Sequence, residues 1–483
     1  MSRLRARARI GACAVLCLLG ACAADESDAA PDAAAIEDDA STPDDAGADA
    51  ALPDLPPDFT ERELADLATL RYDDGPPPVD PSNRVVDDPA ARSFGQRLFF
   101  DGSLSGPLIE ADNDGGPATL GHVGEAGRVS CAGCHVPASG FVDTRSPHKQ
   151  ISLASQWTSR RTPTLLEVAF APLFNWDGRR DALWNQAIGV MESAAEFNSG
   201  RLFVALQIYR LHKAEYEAVF GALPALDDAE RFPQLAPDEA GCIEKATSSG
   251  PELVCRGKPG DGADYDGMDA EAQDAVTTVT VNVAKAMAAY VTQLRCGESR
   301  FDAWLDGDQE ALSASEQRGA QLFVARGQCA SCHSGPNLTD GKFHNVGLSP
   351  AQVAVAFIDH DDRGAAEGLA AALEDPLSTN GAHSDGDREQ LPAAVTAEHE
   401  GAFRTPTLRC MNARPSFMHT GQLRTASQVV SFFNRGGDPP GNYPGVNELM
   451  PLDLSERDRA DLVAFMAALE GDGPDASLRT APP

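Results

Sequence analysis

Cys131-Ala-Gly-Cys134-His135 and Cys329-Ala-Ser-Cys332-His333 are the two stretches whose reading decides the fold of this chain. On one turn of helix, positions i, i+3 and i+4 share a face. Two thiols so placed can form thioethers with the vinyl groups of a haem while the imidazole reaches its iron. Each stretch is therefore read as a c-type haem site, with His135 and His333 as the proximal iron ligands. A zinc ribbon or a redox Cys-x-x-Cys pair uses the same cysteine spacing. The adjacent His in both copies, together with an export signal, favours haem. Two covalently bound haems in one polypeptide imply electron transfer between them.

The export signal is at the N-terminus. Arg3, Arg5, Arg7 and Arg9 form a basic leader, and Ile10 to Ala21 form an apolar core too short to remain as a membrane span. Leu19-Gly20-Ala21-Cys22 resembles the lipobox of bacterial lipoproteins, in which Cys22 would become the lipidated first residue; an ordinary signal peptide is the alternative. Either reading takes the mature chain, beginning after residue 21, to the periplasm or cell envelope. No later stretch has the roughly 18 uninterrupted apolar residues of a span, so the expected membrane contact is the anchor at Cys22 alone.

The formal charge is -34, which disfavours nucleic acid and anionic lipid as partners. Residues 22–60 carry 12 Asp or Glu and no Lys or Arg, with much Ala and Pro, and are read as a disordered acidic linker. Of eleven cysteines, Cys242, Cys255, Cys296 and Cys410 remain outside the leader and the haem motifs. In an oxidising compartment they suggest two disulfides with three possible pairings. Cys242 with Cys255 closes the shortest loop and is preferred, leaving Cys296 with Cys410; free buried thiols are the alternative.

The chain also repeats itself around the haem motifs. Gly95-Gln-Arg-Leu98-Phe99 and Gly319-Ala-Gln-Leu322-Phe323 precede them, and Arg161-Thr-Pro-Thr-Leu165 and Arg404-Thr-Pro-Thr-Leu408 follow them. Trp176-Asp177-Gly178 and His419-Thr420-Gly421 keep the second pair's offset of 243. The second half holds about 45 more residues between its haem His and its Arg, around Gly347 to Glu400, which read mostly as loop. Elsewhere the signals are helical. Thr60 with Glu63, Ser313 with Glu316 and Ser455 with Asp458 have the form of capping boxes. Val276, Val279, Val283, Met287, Tyr290 and Leu294 recur at helical spacing, as do Leu462, Phe465, Met466 and Leu469. Strand alternation is nearly absent. The expectation is an all-α protein with two cytochrome c-like haem domains related by internal duplication, spanning 61–305 and 306–475.

These motifs, with Asn175-Trp-Asp-Gly-Arg179, Asn337-Leu-Thr-Asp-Gly-Lys-Phe-His-Asn345 and Phe417-Met-His-Thr-Gly421, resemble the bacterial di-haem cytochrome c peroxidase family, including its MauG-like members. The resemblance covers roughly residues 90–200 and 315–470. It implies that peroxide reacts at the N-terminal haem while the C-terminal haem takes electrons from a donor. Glu196 falls at the family's distal acid/base glutamate, with Glu192 as the fallback, and Gln186 at its distal glutamine. Trp176 matches the tryptophan between the haems, and Arg179 is placed to offset haem propionates.

Three positions depart from the family pattern. Ile151 to Arg160 has no counterpart of the His that blocks the first haem in typical peroxidases, which would leave that haem open to peroxide; His148 lies several residues too early. Phe433 stands where the second haem's distal Met or Tyr is expected, so that haem is either five-coordinate or takes Met418 or His419 as its ligand. Arg161 occupies the position of an Asn that helps bind calcium, so calcium is expected to be absent or differently bound. The resemblance thus implies a peroxidase that reduces hydrogen peroxide with electrons from a small periplasmic cytochrome c or cupredoxin, with a basic donor suggested by the acidic chain. A MauG-like enzyme oxidising Trp or Tyr of a partner protein is the second reading. A non-catalytic di-haem electron carrier is the third.

Overall fold

Several helices begin where a capping side chain precedes apolar residues at helical spacing. The computed structural model describes residues 54–145, 151–247, 250–350 and 361–482. The leader, Cys22, most of the acidic linker and His148 lie outside the described residues. In chain order the elements are α1 (Glu61–Ala68), α2 (Pro89–Phe100), α3 (Cys131–Cys134), α4 (Leu183–Glu192), α5 (Arg201–Leu211), α6 (Lys213–Phe220), β1 (Gly241–Thr247), β2 (Gly250–Arg256), α7 (Ala270–Val291), α8 (Arg300–Leu305), α9 (Ala314–Val324), β3 (Phe343–His344), α10 (Ala365–Glu374), β4 (Phe403–Arg404), α11 (Ala426–Asn434) and α12 (Glu456–Ala467). The three expected capping boxes close α1, α9 and α12 at their N-termini. No described helix is long and apolar enough to cross a membrane.

The chain is helix-dominated, with two small antiparallel sheets among the described residues. The β1–β2 hairpin was not expected from the sequence. Its strands pair from Gly241 opposite Arg256 to Thr247 opposite Gly250, and the Cys242–Cys255 disulfide joins facing residues. Cross-strand covalent closure and backbone pairing hold this ribbon. The second disulfide joins Cys296 to Cys410, so both preferred pairings form.

The two larger apolar cores among the described residues organise most of the helices. One gathers Phe94, Leu98 and Phe99 of α2 with residues of α4, α5 and α7. The other gathers Phe323 of α9 with Leu462 and Phe465 of α12, and recruits Leu67 of α1 and Phe301 of α8. The repeated glycines explain how the helices approach so closely. A Cβ at Gly95 would lie 1.9 Å from the Ala286 carbonyl oxygen of α7, and one at Gly319 would lie 2.0 Å from that of Asp461 in α12. Only a residue without a side chain admits either crossing. The stretch around Gly347 to Glu400, expected to be mostly loop, contains α10 and docks on the first half. Asp375 pairs with Arg180 at 2.6 Å, Thr379 donates to the buried Asp181 at 2.8 Å, and Asp385 pairs with Lys285 at 2.7 Å. Its Ala-rich face is buried through Ala365, Ala366, Leu369 and Ala372, which the local Gly and Asp content obscured.

Candidate functional site

Both haem motifs fold into a single tight turn. Residues Cys131–Cys134 make one helical turn, and Cys329–Ser331 a 3-10 turn. The His that follows sends its backbone N–H to the first cysteine's carbonyl, at 2.8 Å for His135 and 2.9 Å for His333. The rings are held alike: His135 Nδ1–H donates to the Phe141 carbonyl at 3.0 Å, and His333 Nδ1–H to that of Leu338 at 2.9 Å. That tautomer leaves Nε2 as the ligating atom, the arrangement found behind metal-bound imidazoles. Burial pushes the His135 pKa down to about 4 and lowers that of His333, so both rings are neutral. The four cysteines of the motifs form no disulfide.

Each motif lines its own cavity. The first, of about 250 Å³, has Cys131, Cys134 and His135 in its wall. The second, of about 580 Å³, has Cys329, Cys332 and His333. Both are largely apolar, and the buried polar atoms without partners around them include Arg161 Nη2 and Arg414 Nε. Unbonded sulfurs, neutral imidazoles presenting Nε2 and unneutralised guanidinium groups around an apolar cavity fit a c-type haem with its carboxylates.

Helix α4 supplies one wall of the first cavity through Leu183, Gln186, Ala187, Val190 and Met191, the face generated by a 3.6-residue period. Glu196 follows in the turn before α5 and lines the same cavity. It is the only carboxylate among the described residues that do so. Burial raises its pKa above the ordinary 4.5, opposed by the nearby charge of Arg179 and a hydrogen bond to Ser193. Glu192, the fallback, is outside the cavity wall and holds Arg201 through two contacts of 2.7 and 3.0 Å. Residues 152–160 contribute Ser152, Ala154, Thr158, Ser159 and Arg160 to the wall, none of them an imidazole.

The second cavity has a matching helix with different chemistry. At the offset of 243, α11 presents Val429 where α4 presents Gln186, and Phe433 where α4 presents Val190; all four line their cavities. The same offset relates left-handed Asn175 (φ 66°) to Met418 (φ 69°) and Glu167 (φ 59°) to Cys410 (φ 51°). Met418 and His419 both line the second cavity. The His419 ring stacks on Phe403 with centroids 3.5 Å apart, and burial drives its pKa down to about 3.

Trp176 lies in the walls of both cavities. Its indole Nε1–H donates to the Arg161 carbonyl at 2.7 Å, and its own carbonyl accepts from Arg404 N–H at 2.8 Å. Arg179 bonds the buried Asp177 at 3.2 Å, and Arg160 bridges Asp177 to Asp362. The sequence reading missed the cationic wall itself. Arg161 and Arg404 line both cavities, and Arg414 lines the second. Burial, with the charge of Arg414 second, lowers the Arg161 pKa to about 9, and burial lowers Arg404 and Arg414 to about 10. Duplication of the Arg in both Arg-Thr-Pro-Thr-Leu segments was the available signal.

Residues 89–310 match the family model described as di-haem cytochrome c peroxidase. The methylamine utilization protein MauG of Methylorubrum extorquens is 27% identical over 385 residues, 80% of this chain and 79% of the relative. The cytochrome-c peroxidase IdrP1 of Denitromonas iodatirespirans is 28% identical over 401 residues, 82% of this chain and 84% of the relative. The solved structure of the dihaem peroxidase BthA from Burkholderia thailandensis shares the fold, with a TM-score of 0.55 at 22% identity over 88% of this chain and 97% of that one.

Proposed function

This chain is a homologue of the di-haem cytochrome c peroxidases, MauG-like enzymes included, and on that footing we propose that it reduces hydrogen peroxide to water with two electrons from a small periplasmic cytochrome c or cupredoxin. The observation that carries the reading is the contrast between the cavities. The one at His135 has a protonatable carboxyl, Glu196, and the Gln186 amide in its wall, whereas α11 offers Val429 and Phe433 at the second, whose carboxylates Glu167, Asp340 and Glu448 are paired with Arg295 and His344.

Bound at His135, the haem supplies an iron centre that accepts peroxide and the redox capacity to cleave its O–O bond. Glu196 moves a proton between the two peroxide oxygens, and the burial that raises its pKa favours holding one for delivery. Gln186 orients the substrate by hydrogen bonding. Trp176, fixed by its bond to the Arg161 carbonyl, relays electrons from the side of His333. Arg179 moderates the Glu196 charge from its ion pair with Asp177. Cys131, Cys134, Cys329 and Cys332 would hold two haems c covalently, and Met418 and His419, which line the second cavity, are the side chains that could ligate the second iron if it is not five-coordinate. Calcium is left out of the cofactor set because Arg161 stands in the wall between the cavities.

The finer architecture follows from the same reading. The halves, 61–305 and 306–475, are copies of one haem module, an inference supported by the shared dihedrals and helix crossings at matching positions. Export by residues 1–21 and lipid anchoring at Cys22 hold the enzyme at the cell envelope through the 22–60 linker. Oxidation of Trp or Tyr in a partner protein, as a MauG-like enzyme, is the second function; the wall at 152–160 without an imidazole favours it equally. A pure electron carrier has no use for Glu196.

The test uses purified holoprotein with two haems per chain, mixed with peroxide and reduced cytochrome c beside a Glu196→Gln variant. Donor oxidation that collapses in the variant supports the peroxidase. Reaction with peroxide without donor turnover moves the assignment to protein modification, and inertness towards peroxide refutes both.

A further inference from the structure

Wherever else this fold buries an arginine deeply, it supplies a carboxylate. Arg409 meets Asp302, Arg160 meets Asp177 and Asp362, Arg201 meets Glu192, and Arg295 meets Glu167, all within 3.2 Å. Arg161, Arg404 and Arg414 are exceptions: no carboxylate among the described residues lies within 4.0 Å of them. Their polar contacts are to neutral oxygens. Arg161 Nε donates to Ser416 Oγ at 2.7 Å, and its Nη2 is buried without a partner. Arg404 Nε donates to the Asn175 carbonyl at 3.2 Å. Arg414 donates to the carbonyls of Thr407 at 3.0 Å and Arg409 at 2.6 Å, and its Nε is unpartnered.

A buried cation without a counter-charge is strongly disfavoured, and here Arg161 and Arg414 also repel each other. The protein tolerates this only if the anions come from what fills the cavities. A guanidinium fork matches a carboxylate in charge and geometry. Position gives the further point. Arg161 and Arg404 are the same residue of the two Arg-Thr-Pro-Thr-Leu segments, and each faces both cavities, whereas Arg414 faces the second alone.

We propose that Arg161 and Arg404 form a shared carboxylate-binding site that holds propionates of both haems, so that one pair of charges sets the two reduction potentials together, while Arg414 acts on the second haem alone. This rests on the di-haem reading above. Reduction adds an electron beside these cations, so each guanidinium favours the ferrous form, and its removal lowers the potential.

Holoprotein of R161Q, R404Q and R414Q, each with two haems by pyridine haemochrome assay, is titrated spectroelectrochemically. R161Q and R404Q should each lower both potentials, on the order of tenfold in the ferrous–ferric equilibrium or about 59 mV for a one-electron couple. R414Q should lower the second only, and R161K and R404K should stay near wild type. Unchanged potentials, or a shift of a single haem in R161Q and R404Q, overturn the shared site. If the Gln variants fail to take up haem, redox-difference infrared spectra of the wild-type holoprotein with isotope-labelled haem carboxyls decide. Ionised carboxylate bands support the site, and a protonated carboxyl band overturns it. A wild-type haem count other than two refutes the di-haem reading instead.

Discussion

Replacing Glu196 with Gln keeps the side chain's size and removes its titratable proton. Glu196 is the one carboxylate among the described residues lining the first cavity, and Glu192 is committed to Arg201, so no neighbour can take over. Loss of a positioned general acid/base typically costs about 10²–10⁴-fold, and with no substitute present the upper part of that range is expected for kcat/KM with peroxide. Stability should move the other way. The folded carboxyl has its pKa raised above 4.5 by burial, so it retains a proton that the unfolded chain releases. Bound protons then exceed those of the unfolded state, and folding stability falls as pH rises from 4.5 through the raised native value. The amide of the Glu196→Gln variant cannot ionise, so the variant escapes that fall. Stopped-flow peroxide kinetics and thermal unfolding at pH values on both sides of the window measure the two effects. A variant with two haems and wild-type kinetics would refute the assignment of Glu196. A variant that loses stability relative to wild type as pH rises would refute the burial argument.

Glu192→Gln should leave peroxide turnover intact but destabilise the fold by about 1–3 kcal/mol in denaturant titration, because Arg201 loses its ion pair. Trp176→Phe should cost about 0.5–1.5 kcal/mol through the lost bond to the Arg161 carbonyl and slow electron transfer between the haems, followed by rapid mixing of pre-reduced enzyme with peroxide. Replacing Cys296 and Cys410, 114 residues apart, by Ala should cost about 4.7 kcal/mol, against about 3 kcal/mol for Cys242 and Cys255, 13 apart, if the bonds act by restricting the unfolded chain; equal losses in guanidinium unfolding would contradict that account.

Some features of this protein are local and could be read directly. A Cys-x-x-Cys-His turn carries its own geometry, because the helical period alone brings the thiols and the imidazole together. Caps such as Ser313 with Glu316 are complete within four residues. Gly95 and Gly319 were visible as repeated positions, though their reason, the carbonyl of a distant helix within 2.0 Å of a hypothetical Cβ, was not. Register with a family placed Glu196 first and Glu192 as the fallback, but gave no physical reason for that order. The reason lies in Arg201, nine residues beyond Glu192, folding back to claim the latter.

Whether a charge is satisfied is a property of space, not of sequence. Arg160 and Arg161 are neighbours in the chain, yet Asp177 and Asp362 neutralise the first while the second faces the cavities with no carboxylate among the described residues within 4.0 Å. The inserted α10 region looked like a loop because its few apolar residues become a core only when packed with Leu173, Phe343 and Ala402, which lie far from them in sequence. The chain alone thus pointed to haem c and to two sites for it, since a Cys-x-x-Cys-His motif is complete within five consecutive residues. Which cavity has Glu196 in its wall, which has Phe433, and which arginines are left without a carboxylate among the described residues depended on contacts between residues far apart in sequence, where burial gives each charge its energy.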